Sequence, residues 1–331
     1  MKILVTGGAG YLGSVLTPLL LREGHQVRVL DDLSHGGAGL LGVLSDENFT
    51  FHKGDIRSEE TIREAVDGME AIVHLASIVG DPACARAPEL ARQVNVDGSL
   101  RLFEAASRDG VDRFVFASTC SNYGRMADGS GFLDEGAELR PVSLYAETKV
   151  AVERALLGSR TGTTAVTLLR CATLYGLSPR MRFDLTVNEF VRDLLTRRKL
   201  AVFGEQFWRP YVHVRDAARA ISMALSAARE RVSGEVFNVG DSSQNFRKGQ
   251  IVEAIVSQLD EEVEIEQVHR TEDPRDYRVS FDKIRDRLGF RITRTVQDGI
   301  QELRDAIRQG VIKDCDDPRY KNWTVPDSTQ V

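Results

Sequence analysis

Tyr145 and Lys149 stand four residues apart in the segment YAETK, a spacing that puts both side chains on one face of a helix. A phenol with its ordinary pKa of about 10 is too weak a base at neutral pH. An ammonium one helical turn away favours the phenolate, so we expect Lys149 to bring the pKa of Tyr145 toward the neutral range. The pair predicts a base that removes the proton of an alcohol.

A hydroxyl and a thiol stand at the end of the apolar strand that precedes this helix pattern. Thr119, in the segment STCSNYG, is placed to donate a hydrogen bond to the same alcohol oxygen. Cys120 has two interpretations that remain open. It is either a small buried hydrophobic residue, or a proton donor or acceptor beside the substrate with its pKa set by Lys149 or a helix end.

The first thirteen residues predict a dinucleotide site. A short apolar strand runs into the segment TGGAGYLG, whose glycines Gly7, Gly10 and Gly13 are spaced GxxGxxG, and an apolar helix pattern follows. Gly7 allows the tight turn and Gly10 lets backbone N–H groups approach a pyrophosphate. Gly13 lets the helix press against the strand. Tyr11 and Leu12 lie in the same turn.

Asp31 and Asp32 follow the second apolar strand, at residues 26–30. A carboxylate at this position accepts hydrogen bonds from the ribose hydroxyls of a dinucleotide. It would repel a 2′-phosphate, and no arginine follows immediately to neutralise it. We therefore expect NAD rather than NADP as the cofactor.

Composition and charge restrict the class of protein. The 331 residues are 42% hydrophobic and 28% charged, which is typical of a globular enzyme with a large core. A net charge of −6 and a single short basic run at 197–199 argue against a nucleic-acid partner. The four cysteines show no metal-like pairing or disulfide pattern, so no metal is expected. No stretch reaches membrane-spanning length and residues 1–5 read as a strand, so we expect no membrane partner and a cytoplasmic location.

Apolar strands alternate with helix patterns through the first half of the chain. The strands are expected at 1–5, 26–30, 49–53, 71–76, 113–118 and 165–170, and the helices near 58–66, 87–109 and 144–158. Continuous apolar strands in βαβ order predict an α/β fold with a doubly wound parallel sheet, covered by helices on both faces.

The regular alternation of apolar strands and helix patterns ends at about residue 175. Helices are expected at 187–197, 215–228, 247–258 and 295–308, and a strand at 234–240; the segment 208–214, between the first two helices, is left without an assignment. We expect a NAD-binding Rossmann domain over 1–175 and a smaller substrate-binding lobe over 176–315, interleaved with that domain near 205–240. A polar C-terminal tail over 316–331 follows.

In combination these motifs resemble the extended short-chain dehydrogenase/reductase family, and within it the nucleotide-sugar epimerase/dehydratase branch. The matching motifs are TGGAGYLG, GDI at 54–56, HLA at 74–76, VNVDG at 94–98, STCSNYG, YAETK, RPYVHVRD at 209–216 and FNVG at 237–240. The resemblance runs from residue 1 to about 310. It implies a Rossmann fold, NAD as cofactor and a nucleoside-diphosphate sugar as substrate.

The resemblance also implies a site. Thr119, Tyr145 and Lys149 are the expected catalytic residues, with Cys120 as the open candidate. The expected cofactor-binding residues are Gly7, Gly10, Tyr11, Leu12, Asp31, Asp32, Asp55, Ile56, Leu75, Ala76, Ser77, Asn95, Tyr145 and Lys149. The expected substrate-binding residues are Gly80, Ser121, Asn122, Arg182, Asn188, Arg209 and Arg275.

Some of these roles are more specific. By the resemblance, Asp55 and Ile56 should flank the adenine, and Asn95 should steady the helix behind the lysine. Arg209 and Arg275 should hold the diphosphate of the sugar nucleotide, because guanidinium groups pair bidentately with phosphate oxygens.

The residues after Thr119 bear on the reaction. Members resembling 4,6-dehydratases carry Asp-Glu there, as the acid and the base of the elimination, and decarboxylating members carry Glu at the second place. Here those places hold Cys120 and Ser121. Small or hydroxyl residues look more like 4-epimerases, so we expect transient oxidation at sugar C4 and return of the hydride to the opposite face.

Other outcomes stay open. The same fold serves a nucleotide-sugar dehydratase, a 4-keto reductase or dehydrogenase, or a 3/5-epimerase that uses Cys120. A protein that senses NAD without turnover would not need the phenol–ammonium pair. The helices at about 96–109 and 144–158 resemble those that form a four-helix dimer interface in the family, so a homodimer is expected.

Overall fold

A parallel sheet dominates the structure, which is a computed structural model describing residues 1–126, 131–159, 163–268 and 275–322. Residues 323–331 of the expected tail lie outside the described residues. The strands are β1 Lys2–Thr6, β2 Gln26–Asp31, β3 Phe49–Lys53, β4 Ala71–His74, β5 Arg113–Thr119, β6 Ala165–Cys171, β7 Thr173–Tyr175, β8 Lys199–Phe203, β9 Trp208–His213, β10 Glu235–Val239, β11 Asn245–Arg247 and β12 Glu264–Val268.

Helices follow most of these strands. They are α1 Gly13–Arg22, α2 Glu59–Val66, α3 Asp81–Arg86, α4 Pro88–Arg92, α5 Ser99–Arg108, α6 Leu144–Gly158, α7 Thr186–Thr196, α8 Val214–Ser226, α9 Arg229–Val232, α10 Lys248–Val256, α11 Asp282–Leu288 and α12 Val296–Arg308. A turn of π-helix, Gln93–Gly98, joins α4 to α5.

Seven strands form the main sheet in the order β10-β6-β5-β4-β1-β2-β3. Every neighbouring pair is parallel. The doubly wound parallel sheet expected from the sequence is confirmed. The chain order reverses between β1 and β4, and ligands of such sheets bind at that switch point, beyond the carboxyl ends of the strands.

Both faces of the sheet are buried because successive strand residues point to opposite sides. Ile3 and Val5 of β1 lie in one core cluster with residues of α1 and α8. Leu4, between them, lies in a second cluster with residues of α2, α5 and α6. These layers fix the edge of the sheet at which the catalytic candidates lie.

The second half of the chain packs around its own cluster, built largely from α7, α10 and α12. Two small sheets, β11-β9-β7 and β12-β8, lie in this half. However, β10 joins the main sheet beside β6, so the two halves are interleaved. The strands β7, β8, β9, β11 and β12 are absent from the sequence prediction. In β12, for example, Glu264 to Val268 are all exposed or half-buried, so no apolar run marks the strand.

Among the helices of the described ranges, none combines the length and the apolar composition needed to span a bilayer.

Candidate active site

The glycine turn between β1 and α1 is packed too closely for side chains. Gly7 has φ of +73°, and a Cβ there would lie 2.7 Å from the backbone nitrogen of Ala76. A Cβ on Gly13 would collide with the carbonyl oxygen of Gly7. Within the described residues no side chain caps α1 at Leu12, and its first turn carries no acidic residue. The positive end of the helix dipole and its N–H groups are therefore suited to an anion.

Asp31 joins this turn to the end of β2. Its carboxylate accepts hydrogen bonds from the backbone N–H of Ala9, at 3.0 Å, and of Leu33, at 2.9 Å. Burial raises the pKa of Asp31 to about 6, although these two hydrogen bonds act in the opposite direction. Asp32 instead accepts from the backbone N–H of Ser34, at 2.8 Å. Asp31 thus lies against the glycine turn, where the sequence predicts a ribose-binding carboxylate.

Asp55 and Ile56 lie just beyond the end of β3. Arg57 donates to the Asp55 carboxylate through Nε, at 2.9 Å, and through Nη2, at 2.6 Å. Partial burial would raise the pKa of Asp55, but the Arg57 hydrogen bonds outweigh it and the pKa is lowered. Ile56 is buried and meets Gly98 of the π-helical turn. The Arg57 partner has no counterpart in the sequence prediction.

Asn95, in the π-helical turn, connects the end of β4 to α6. Its Oδ1 accepts from the Ser77 hydroxyl, at 2.9 Å, and from the backbone N–H of Ile78, at 2.8 Å. Its Nδ2 donates to the Thr148 hydroxyl at 3.2 Å, next to Lys149. Such π-helical turns are frequent at functional sites. Leu75 and Ala76 continue this segment through hydrogen bonds from their backbone N–H groups to Thr6.

Lys149 is buried in the second turn of α6. Its Nζ donates to the carbonyl oxygen of Ala117 in β5, at 3.0 Å, and lies 4.7 Å from the centroid of the Phe116 ring. The distance from Nζ to the centroid of the Tyr145 ring is 5.9 Å. Burial lowers the pKa of Lys149 to about 8.

Tyr145 departs from the electrostatic expectation. Burial raises the pKa of its phenol above the ordinary value, and Arg182 is the cation whose field opposes this most. The expectation that Lys149 brings this pKa toward neutrality is wrong for the protein without ligand. The physical reason is that α6 places the phenol in a poorly solvated position, which helical spacing alone does not reveal.

Thr119 ends β5 and is half-buried. Its hydroxyl oxygen accepts a hydrogen bond from the backbone N–H of Ser121, at 3.1 Å, and so caps the short turn Cys120–Tyr123. Because this bond uses a lone pair of the oxygen, the hydroxyl proton remains for another acceptor. Thr119 can therefore donate to a substrate oxygen.

The structure favours the first of the two interpretations of Cys120, a small buried residue, and it disfavours a substrate contact for Asn122. The Cys120 thiol is 1% exposed and donates to the carbonyl oxygen of Arg170, at 3.1 Å. Burial raises its pKa well above the ordinary value, which disfavours a thiolate. Asn122 is fully buried, and its Nδ2 donates to Ser118 and Glu153. Both side chains point into the core because the turn after β5 directs them beneath the strand ends.

Asn188 is likewise enclosed by the protein. It is fully buried in α7, where Oδ1 accepts from the backbone N–H of Gly176, at 2.9 Å. Its Nδ2 donates to the Tyr11 hydroxyl, at 3.2 Å, and to the Arg182 carbonyl, at 2.8 Å. With both donors used inside the protein, Asn188 orders this region and is not available to a substrate.

The loop after β4 is an ordered turn into α3. Gly80 adopts φ of +99° and directly precedes the helix. Arg275 reaches this helix and its Nη1 donates to the Asp81 carboxylate at 2.8 Å. Asp81 is among the charges that act on Tyr145, so this ion pair lies in the neighbourhood of the phenol.

Arg209 and Ser121 both lie next to Tyr277. The Arg209 guanidinium is buried, donates to the Trp208 carbonyl oxygen at 2.7 Å and lies 5.6 Å from the centroid of the Tyr277 ring. Ser121 is hydrogen-bonded to the Tyr277 hydroxyl. Arg182 is buried as well, and Asp184 holds it bidentately at 2.9 and 2.8 Å. No group of metal-ligating side chains occurs within the described ranges.

Comparison with known proteins gives one family and several relatives. The chain matches the NAD dependent epimerase/dehydratase family over residues 3–240. It is 33% identical over 321 residues to a dTDP-glucose 4,6-dehydratase of Streptomyces niveus, with 93% of each chain covered.

Solved structures give the same picture. UDP-glucose 4-epimerase of Thermotoga maritima, crystallised with UDP-glucose, has a TM-score of 0.81 at 28% identity, covering 94% of this chain and all of the other. A dTDP-glucose 4,6-dehydratase of Streptomyces venezuelae, crystallised with NAD, has a TM-score of 0.80 at 28% identity, covering 94% of this chain and 98% of the other.

Proposed function

This chain belongs to the NAD-dependent epimerase/dehydratase family, and we propose that it is a nucleotide-sugar 4-epimerase, an isomerase with NAD as its cofactor. The observation that carries this proposal is the hydrogen bond from Lys149 to Ala117 of β5. It ties the helix that carries Tyr145 to the strand that ends at Thr119. A phenol, an amine and a hydroxyl are thereby held on adjoining rigid elements, as alcohol oxidation requires.

The residues fit a dinucleotide. The closely packed Gly7 turn and the uncapped N-terminus of α1 suit a pyrophosphate, and Asp31 suits the ribose hydroxyls. When bound, NAD supplies the hydride acceptor for oxidation at sugar C4 and the hydride for the return step, and its positive ring lowers the pKa of a nearby phenol. Tyr145 and Lys149 are the residues expected nearest to that ring.

Proton transfer is carried out by side chains of the protein. Thr119 donates a hydrogen bond to the C4 oxygen, and the Tyr145 phenolate accepts the C4 hydroxyl proton. The same phenol returns the proton after the sugar has presented its other face. Lys149, with a pKa of about 8, retains much of its positive charge at neutral pH and favours the anionic phenol.

Epimerisation needs no further acid or base, and the residues next to Thr119 support this. Cys120 is buried against the Arg170 carbonyl, and Ser121 is hydrogen-bonded to Tyr277. A neutral serine hydroxyl is far too weak a base to remove a carbon-bound proton. A 4,6-dehydration would require such a base at the place of Ser121.

The dehydratase remains the second candidate, because the relative from Streptomyces niveus is a dTDP-glucose 4,6-dehydratase. A panel of UDP- and dTDP-sugars followed by NMR in deuterated water separates the two. Inversion at C4 without deuterium at any carbon supports the epimerase. Loss of water with deuterium uptake at C5 or C6 would contradict it and identify a dehydratase. Net reduction of free NAD would instead indicate a dehydrogenase, and binding without turnover a sensor.

We propose a homodimer as the assembly, formed by α5 and α6 of two copies. The two helices pack side by side in each chain, and Ala151 lies on the exposed face of α6. Sedimentation velocity should show a dimer, and Ala151→Arg should convert it to a monomer. A monomeric wild-type protein would contradict this assembly.

A further inference from the structure

The loop that follows β7 lies directly on the glycine turn. The Tyr11 hydroxyl donates to the carbonyl oxygen of Gly176 at 2.6 Å. The Ser178 hydroxyl donates to the carbonyl oxygen of Tyr11 at 2.7 Å and lies 2.9 Å from the Ser14 hydroxyl. Residues 176–184, called the docked loop below, are therefore fixed to the first turn of α1.

This contact carries Arg180 to the cofactor side of the molecule. The Arg180 backbone N–H donates to the Ser14 hydroxyl at 3.4 Å. Its side chain is 5% exposed, yet its Nε and Nη2 atoms have no hydrogen-bond partner among the residues that the structure describes. Buried polar atoms are nearly always paired, and an uncompensated buried cation is costly. Such a group points to an anionic ligand that completes it.

The nearby carboxylates do not fulfil this role. Asp184 is bonded bidentately to Arg182, and Asp31 accepts from two backbone N–H groups. Burial, then the field of Arg182, lowers the pKa of Arg180 to about 10, although Asp184 and Asp31 act in the opposite direction. Burial and then the same two arginines lower the pKa of His35 to about 4. Arg180 and Arg182 therefore both act on His35, in the space between α1 and the end of β2.

We propose that the Arg180 guanidinium binds a phosphate of the dinucleotide, opposite the N-terminus of α1. This inference rests on the proposed function, since it needs a dinucleotide in the glycine turn. The contact to Ser14 and the electrostatic proximity of Asp31 place Arg180 at the adenosine-diphosphate half of the site. The sugar-nucleotide half lies toward Tyr145, where Arg182 acts. Arg180 thereby links cofactor binding to the docked loop, which carries Arg182 as well.

The test compares phosphate-bearing and phosphate-free ligands by titration calorimetry. ADP, NAD, UDP and adenosine are titrated into wild type, Arg180→Met, Arg180→Lys and the exposed control Arg22→Met. In Arg180→Met, ADP and NAD should bind about tenfold to a hundredfold more weakly, as expected for loss of a charge-assisted hydrogen bond. Adenosine should bind as in wild type, Arg180→Lys should recover part of the loss, and Arg22→Met should show none.

Thermal unfolding provides a second readout. Without ligand, Arg180→Met should melt at the same temperature as wild type or higher, because an uncompensated charge has been removed, and NAD should raise its melting temperature less. Equal ADP binding by wild type and Arg180→Met would overturn the inference. Two other results for Arg180→Met would also overturn it. In the first, ADP and adenosine binding weaken equally and the melting temperature falls. In the second, UDP binding weakens while ADP binding is unchanged. If wild type binds neither ADP nor NAD, the proposed function itself fails.

Discussion

Glu153 and Arg170 form an ion pair in the interior of the protein, beneath the residues that carry the chemistry. Arg170 Nη2 lies 2.7 Å from Glu153 Oε2, and both side chains are at most 5% exposed. The Ser118 hydroxyl donates to the same carboxylate at 2.5 Å. The pair therefore joins α6 to β6 and β5, one helical turn beyond Lys149.

Breaking this pair should destabilise the fold. Arg170→Met leaves the Glu153 carboxylate buried with fewer partners, and loss of one member of a buried pair typically costs about 3–5 kcal/mol. Chemical denaturation should show a decrease of that order in the free energy of unfolding. The double variant Glu153→Met/Arg170→Met should recover much of the loss, because no unpaired charge remains. Additive losses in the double variant would show that the two residues act independently.

Lys149 should make stability depend on pH in the alkaline range. Its pKa is lowered to about 8 in the folded protein from an ordinary value of 10.5. Between these values the unfolded chain binds the proton more strongly, so the free energy of unfolding should rise with pH, by on the order of 3 kcal/mol in total. Below pH 8 both states are protonated and the buried charge costs stability.

The measurement is urea denaturation between pH 7 and 10.5 without ligand. Lys149→Met should lose the contribution of this residue to the slope and should be more stable than wild type below pH 8. The exposed residue Lys313 provides the control, since Lys313→Met should retain the wild-type slope. The same slope in Lys149→Met would show that other groups cause it.

The sequence predicted the main sheet well for a physical reason. Parallel strands that are buried on both faces must be largely apolar, and β1, β4 and β6 are such strands. The motifs likewise predicted the helix that carries Tyr145 and Lys149 and the strand that ends at Asp31, because fold, turn and spacing reinforce one another. What they could not reveal is the environment of each side chain.

Three kinds of information were missing. Asn122 and Asn188 looked like substrate ligands, but both are fully buried, and their amide nitrogens donate to Glu153 and to Tyr11, which are distant in the sequence. Burial, which dominates the pKa of Tyr145, is a property of the packed structure. The position of Arg180 depends on a loop that contacts Ser14 across the two halves of the chain, and no local pattern encodes that contact. A charged residue within an otherwise apolar strand, such as Arg170, was the available signal for the buried ion pair.

Asp31 should control the choice of cofactor. Asp31→Asn removes the charge that repels a 2′-phosphate, and the remaining oxygen cannot serve both Ala9 and Leu33 as the carboxylate does. NAD should bind about tenfold more weakly and NADP more tightly, as judged by calorimetry. Asp32→Asn, at a position that accepts from Ser34, should change the ratio of the two affinities much less. An unchanged ratio in Asp31→Asn would contradict this role.

The protonation of Asp31 should also be visible in binding. Burial raises its pKa to about 6, and ribose hydroxyls donate best to the ionised carboxylate. NAD affinity should therefore be highest above pH 6 and should fall as the pH is lowered through 6. In Asp31→Asn this part of the pH dependence should disappear. Retention of the full wild-type profile by the variant would assign the titration to another group.

Thr119 and Cys120, neighbours in the chain, should respond in opposite ways to substitution. Thr119→Val removes the hydroxyl that donates to the substrate oxygen, and kcat should fall about a hundredfold or more, since positioned donors of this kind typically contribute that much. Cys120→Ala removes a buried thiol that contacts only the core, so kcat should stay within about twofold of wild type. The cavity should instead lower the free energy of unfolding by about 1 kcal/mol. Both kcat and urea denaturation should be measured for each variant. A large loss of kcat in Cys120→Ala at unchanged stability would show that the thiol takes part in the reaction.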